Sequence, residues 1–168
     1  MLGPPMTARG NAEEAIEQMQ RGFALCRSAG VKICRPISLG FLAEAESAAG
    51  RVDAALKTID DALTLTDETE ERWHESELWR LKGVFLASLK EAAQAEACFC
   101  RAIEVARRQS ARLPELRVAT ALARLWRDQG RPVKARELLA PVYVWFNEGF
   151  DTSDLKDAKL LLDELASE

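Results

Sequence analysis

The residues able to carry acid–base or metal chemistry are few and scattered. His74 is the single histidine of the chain, and histidine is the side chain most used in general acid–base catalysis. It lies among carboxylates in Glu71-Arg72-Trp73-His74-Glu75-Ser76, where a surface imidazole with a slightly favoured charge accounts for it. Cysteines stand at 26, 34, 98 and 100. On a helix, residues two apart point about 200° apart, so Cys98 and Cys100 share neither a metal nor a disulfide easily. With one histidine there is no zinc set. All four read as reduced structural cysteines. The run Asp67, Glu68, Glu70, Glu71 lacks the alternation of a calcium loop, and a helix start accounts for it through the macrodipole. Trp73, Trp79, Trp126 and Trp145 occur at helical spacing and are expected in the core. Neither G-x-x-x-x-G-K-[ST] nor G-x-G-x-x-G occurs, and no serine sits in a G-x-S-x-G elbow. The sequence therefore points to no catalytic, cofactor-binding or metal residue, and the protein is expected not to be an enzyme.

Composition narrows the class further. The 168 residues are 48% hydrophobic and 30% charged, values of a soluble globular domain able to bury a core. The net charge of −4 argues against general nucleic-acid affinity, which rests on neutralising phosphates. No apolar run is long enough for a bilayer, so no membrane partner is expected. The opening Met1-Leu2-Gly3-Pro4-Pro5 is unlike a signal peptide. A cytoplasmic location follows as an expectation.

What would position side chains is a repeat. Windows opening at 10, 50, 90 and 130 align at a spacing of 40. One column holds Ala15, Ala55, Ala95 and Ala135. Four residues on come Met19, Ile59, Phe99 and Leu139; then Gly22, Ala62, Ala102 and Val142; then Phe23, Leu63, Ile103 and Tyr143. Offsets of 0, +4, +7 and +8 trace one helix face. The small residues let a neighbouring helix approach. Gly10, Gly50 and Gly130 stand just ahead, as the left-handed residue that ends a preceding helix, and Lys90 alone breaks that column. The other half of each period carries Phe41, Leu81, Ala121 and Leu161, and Ala45, Phe85, Leu125 and Leu165. Pro36 and Pro114 suit first turns there.

Each unit is thus a helical hairpin. First helices are expected at about 36–49, 70–89, 114–129 and 153–166, and second helices at about 11–28, 52–66, 91–109 and 131–146. As one domain over 1–168, this gives an irregular start (1–10), a half repeat (11–35), hairpins at 36–69, 70–113 and 114–150, and a capping helix in 151–168. Hairpins in register stack into a solenoid. The expected class is all-α with about eight helices.

The pattern resembles the tetratricopeptide (TPR) repeat. Trp79, Gly83, Ala95, Phe99 and Ala102 carry the likeness in one unit, and Leu39, Leu42, Gly50, Ala55, Ile59 and Ala62 in another. Glu46 stands where an aromatic is usual and Lys82 where a leucine is usual, and the period exceeds the usual 34. The resemblance implies a right-handed superhelix that binds protein or peptide. A narrower likeness, over roughly 12–166, is to the carboxyl-terminal TPR region of bacterial regulators in which a cyclase-type domain precedes an ATPase module. It implies a non-catalytic regulatory segment in signal transduction, because no cyclase or ATPase motif occurs here.

Charge is segregated along the chain. Residues 52–77 hold nine acidic and two basic groups, and residues 101–136 hold ten basic and three acidic. In TPR arrays the first helix of each hairpin lines the concave groove. Carried over, the groove residues are Glu44, Glu77, Arg80, Arg117, Thr120, Arg124 and Arg127. They make one half basic, suited to an acidic or carboxylate-ended peptide held by arginine forks. The lysine–asparagine carboxylate clamp of chaperone-binding TPR domains is absent. At the amino-terminal end, helix 11–28 is a second helix whose first would precede residue 10, where Pro4-Pro5 oppose one. Ala15, Ile16, Met19 and Phe23 are then expected to form an open apolar face, covered by a second copy or by further repeats.

Overall fold

The computed structural model describes residues 6–29 and 35–167. Among them are eight α-helices and no strand. They are α1 (Met6–Ser28), α2 (Arg35–Ala48), α3 (Val52–Thr69), α4 (Glu75–Ser88), α5 (Ala92–Arg108), α6 (Arg112–Asp128), α7 (Pro132–Val144) and α8 (Ser153–Ser167). A short 3₁₀ turn, Arg72–His74, precedes α4.

The chain divides at Phe85/Leu86 into two compact units. In the first, α1 packs on α2, and α2 on α3. Its core joins Ala43 of α2 to Ala55, Ile59 and Ala62 of α3 and to Leu78, Leu81 and Phe85 of α4. The alanines let the helices close up, and Gly40 does the same on α2. A Cβ there would lie 2.9 Å from a methyl of Leu78, closer than side-chain carbons approach. In the second unit α6 packs on α5 and on α7, and α8 lies against both α6 and α7. Ala95, Ala102, Ala135 and Leu139 are fully buried there, and Phe99 nearly so.

The turns repeat as strictly as the helices. In four of them the left-handed residue donates its N–H to the carbonyl three back, and its successor donates to the carbonyl five back. These turns centre on Gly50, Lys90, Ser110 and Gly130, closing the pattern that satisfies a helix's last carbonyls.

Several elements depart from expectation. Helix α1 begins at Met6 and runs through Gly10, so Gly10 is not a turn; the irregular start lies, up to residue 5, outside the described residues. Helix α3 continues to Thr69, Glu70 turns left-handed at φ 58°, and α4 starts only at Glu75. Asp67 and Glu68 therefore close a helix rather than open one, against the macrodipole. Helix α7 stops at Val144, three residues after Pro141, which cannot donate to the helix ladder. Phe41 is half exposed, because α2 turns Leu42, Ala43 and Glu46 inward instead. Trp126 is buried, whereas Trp73 is 83% exposed and Trp145 57%, so two of the four tryptophans lie outside the core.

Two breaks in the TPR-like pattern are matched by partners. Glu46 is buried and accepts a hydrogen bond from Thr58 Oγ1 at 2.7 Å. Lys82 Nζ reaches Asp60 at 2.6 Å and lies 5.5 Å from the centre of the Trp79 ring.

Candidate protein-binding surface

Arg117, Thr120, Arg124 and Arg127 fall at offsets of 0, +3, +7 and +10 on α6, which places them on one face. Thr120 is buried beneath that face, its Oγ1 donating to the Leu116 carbonyl at 2.8 Å. The arginines meet a row of carboxylates on α8. Arg117 lies 2.9 Å from Asp154 and Arg124 lies 3.4 Å from Asp157. Arg127 pairs with Glu164, and also with Asp128 at 2.9 Å. Asp128 first, and Glu164 after it, push the Arg127 guanidinium above its usual pKa. The three arginine side chains stay 42%, 46% and 28% exposed. The ladder thus partly neutralises the basic row without covering it, and Asp157 and Glu164 line it.

The residues expected to line a groove in the first unit behave differently. Arg80 forks onto Glu77 within α4, with contacts of 2.9 and 2.7 Å, both side chains about one-fifth exposed. Glu44 is exposed on α2. On α1, Ala15, Met19 and Phe23 are half buried, but Ile16 is only 3% exposed. Ile16 shares its side of the helix with buried Ala12, one turn away, so it is not part of an open face.

Three arrangements escaped the sequence reading. Glu75 and Glu115 are buried carboxylates, 40 residues apart, in the first turns of α4 and α6. Arg72 and Arg112, likewise 40 apart, reach them at 3.2 and 3.0 Å, and Arg107 adds a 2.7 Å contact to Glu115. The repeated Arg-x-x-Glu was the signal. Second, Glu96 of α5 accepts from Arg131 at 2.7 Å and from Lys134 at 3.4 Å, while Lys134 sits 3.9 Å from the centre of the Trp126 ring. The Arg131 bond, chiefly, lowers the Glu96 pKa. Third, Trp73 is an exposed indole shortly after the carboxylate-rich end of α3, and no spacing rule set it apart from the buried Trp126.

Cys98 is buried; around Cys100, desolvation first and the Glu96 charge second push the thiol pKa up, away from a reactive thiolate. Cys34 and the side chain of Cys26 lie outside the described residues. Among the described residues no cluster of three His, Cys, Asp or Glu is placed to hold a metal, and no helix is long and apolar enough to cross a membrane.

No family model matches the chain, and no curated protein matches it in sequence. Solved structures do match. A Podosopora anserina chain of nearly identical TPR-like repeats, named for the kinesin light chain, superposes with a TM-score of 0.70 at 17% identity, over 94% of this chain and 79% of that one. A single-substitution variant of that chain gives 0.72 at 17% identity, over 94% and 78%. BtubC (BKLC) from P. vanneervenii gives 0.70 at 16% identity, over 94% and 73%. The fold is that of a TPR-like repeat solenoid.

Proposed function

We propose that the protein is a non-catalytic interaction module that binds a partner protein or peptide on the surface of its first helices. The observation that carries this is the row Arg117, Arg124, Arg127, aligned on α6 and still partly open to solvent. Arginine forks in such a row suit carboxylates, so the partner is acidic, by side chains or by a free carboxyl end. Thr120 serves as a buried support of the row, and Glu44, Glu77 and Arg80 are assigned binding roles in the first unit. The fold is used for protein binding in many contexts, but a fold alone names no ligand. The location assigned is the cytoplasm.

A second association is proposed at α1. Ala15, Met19 and Phe23 are half covered, whereas their counterparts in α3 and α5 are largely buried. A second copy covering this face gives a homo-oligomer. The likeness to the TPR region of cyclase–ATPase regulators supports one alternative: a regulatory segment whose partner is another domain of the same signalling protein.

Equilibrium binding of acidic peptides tests the main proposal. Arg124→Gln with Arg127→Gln is expected to weaken binding roughly tenfold or more, as loss of charge-assisted bonds does. Equal affinity of the variant and the wild type removes the arginine row from the account.

A further inference from the structure

Between α7 and α8 lies an open groove of about 660 Å³, lined by Val133, Arg136, Glu137, Ala140, Leu165 and Ala166 among others. The repeat tells what belongs there. Forty residues earlier, Arg136 corresponds to Glu96 and Ala166 to Trp126. Around Glu96 and Trp126 the equivalent space is filled by the next second helix, α7, whose Lys134 and Arg131 meet that carboxylate and that ring. At the groove the ring has shrunk to a methyl and the carboxylate has become a guanidinium.

The helix that complements this change is α1. In the repeat register the residue of α1 that corresponds to Lys134 is Glu14. Both signs are therefore reversed together: Glu96 faces Lys134 inside the chain, and Arg136 would face Glu14. Glu14 and Arg136 are both exposed. The apolar faces match as well. Ala55, Ala95 and Ala135 are fully buried, as are Ile59 and Leu139, while Ala15 and Met19 of α1 are only half buried. On the α8 side, Leu165 and Ala166 line the groove.

We propose that α1 of a second copy docks in the α7–α8 groove, head to tail, as the second helix of a hairpin whose first helix is α8. Glu14 of the second copy then meets Arg136, and its Ala15 and Met19 meet α8. The inference deepens the self-association proposed for α1 and rests on it. Such an interface joins two different surfaces, so assembly does not stop by symmetry at two copies.

Sedimentation velocity over a range of concentrations tests it, with Arg136→Glu, Glu14→Arg and an equal mixture of the two. Each variant alone places like charges in contact and is expected to associate roughly fivefold more weakly than wild type. In the mixture, the altered groove of one variant receives the altered α1 of the other. At the next junction the unaltered groove receives the unaltered α1. Opposite charges face each other at both, so association returns to the wild-type level. Association that is indifferent to both reversals, or that the mixture fails to restore, overturns the head-to-tail geometry. If Met19→Asp still weakens association in that case, the α1 face survives with another mate. A wild-type chain that stays monomeric at every concentration removes both.

Discussion

Lys90 holds φ at 65°, in the column where Gly50 and Gly130 hold 83° and 70°. A side chain there crowds the backbone by about 1–2 kcal/mol, and glycine does not. Left-handed residues recur at 50, 70, 90, 110 and 130, one every twenty residues, so one backbone conformation ends each of the helices α2 to α6. Two substitutions test it in opposite directions. Gly130→Ala should cost roughly 1 kcal/mol, although an added Cβ at that site meets nothing within 4 Å; the loss would be conformational, not steric. Lys90→Gly should gain about 0.5 kcal/mol, after the extra entropy glycine loses on folding. Chemical denaturation of both variants is the check, and changes of the opposite sign would show that the turns do not set the repeat. At this scale the glycines were legible as punctuation. Lys90, Glu70 and Ser110 were not, because nothing in a lysine, a glutamate or a serine announces positive φ.

Between elements, the small-residue columns decide the spacing of helices. Ala55 and Ala95 have no exposed surface and sit where α3 and α5 meet their neighbours. Ala55→Leu or Ala95→Leu should cost about 1–3 kcal/mol by overpacking. The same leucine at exposed Lys57 should change stability by less than about 0.5 kcal/mol. Equal melting temperatures for these variants would contradict the packing. Electrostatic clamps add to it. Glu96 ties α5 to α7 through Arg131, and its carboxyl pKa is lowered chiefly by that bond. A lowered carboxylate contributes stability that is complete above its unfolded pKa and is lost as pH falls through the folded one. Glu96→Gln should therefore be less stable than wild type at neutral pH, by under about 1 kcal/mol for a partly exposed pair. The difference should close in acid, and a deficit that persists unchanged at low pH would assign Glu96 another role.

The helices could be read from the sequence because the alanine and large-apolar columns recur every 40 residues, and a period survives small errors of boundary. Faces were harder. Phe41 shares a column with Leu81 and Leu161, yet α2 is rotated enough to leave it in solvent. Ile16 was grouped with Met19 by hydrophobicity, but it lies on the side of α1 that is buried with Ala12. Helix boundaries at 67–75 moved because the carboxylates read as a helix start lie at the end of α3 and just after it. The arginine row on α6 was expected from the likeness to TPR arrays, and its helical spacing puts it on one face. Its carboxylate partners on α8 were not, since nothing in the spacing of Asp154, Asp157 and Glu164 says which helix they face.

Over the whole molecule, a net charge of −4 hides strong segregation, and the ion pairs between α6 and α8 are where part of it is cancelled. The carboxylates of α8 occupy the same guanidinium groups that an acidic partner would use. Under the proposed function they set a threshold: an acidic partner must outcompete Asp157 and Glu164 for Arg124 and Arg127. Exposed pairs of this kind contribute little to stability, so removing the carboxylates should leave the fold intact while uncovering the arginines. The most direct measurement is the affinity of an acidic peptide for the wild type and for Asp157→Asn with Glu164→Gln, by fluorescence anisotropy at low and high salt. The account predicts severalfold tighter binding to the double variant at low salt, and a marked loss of affinity for both proteins as added salt screens the charges. Affinity that is unchanged by the loss of the two carboxylates, and indifferent to salt, would contradict it.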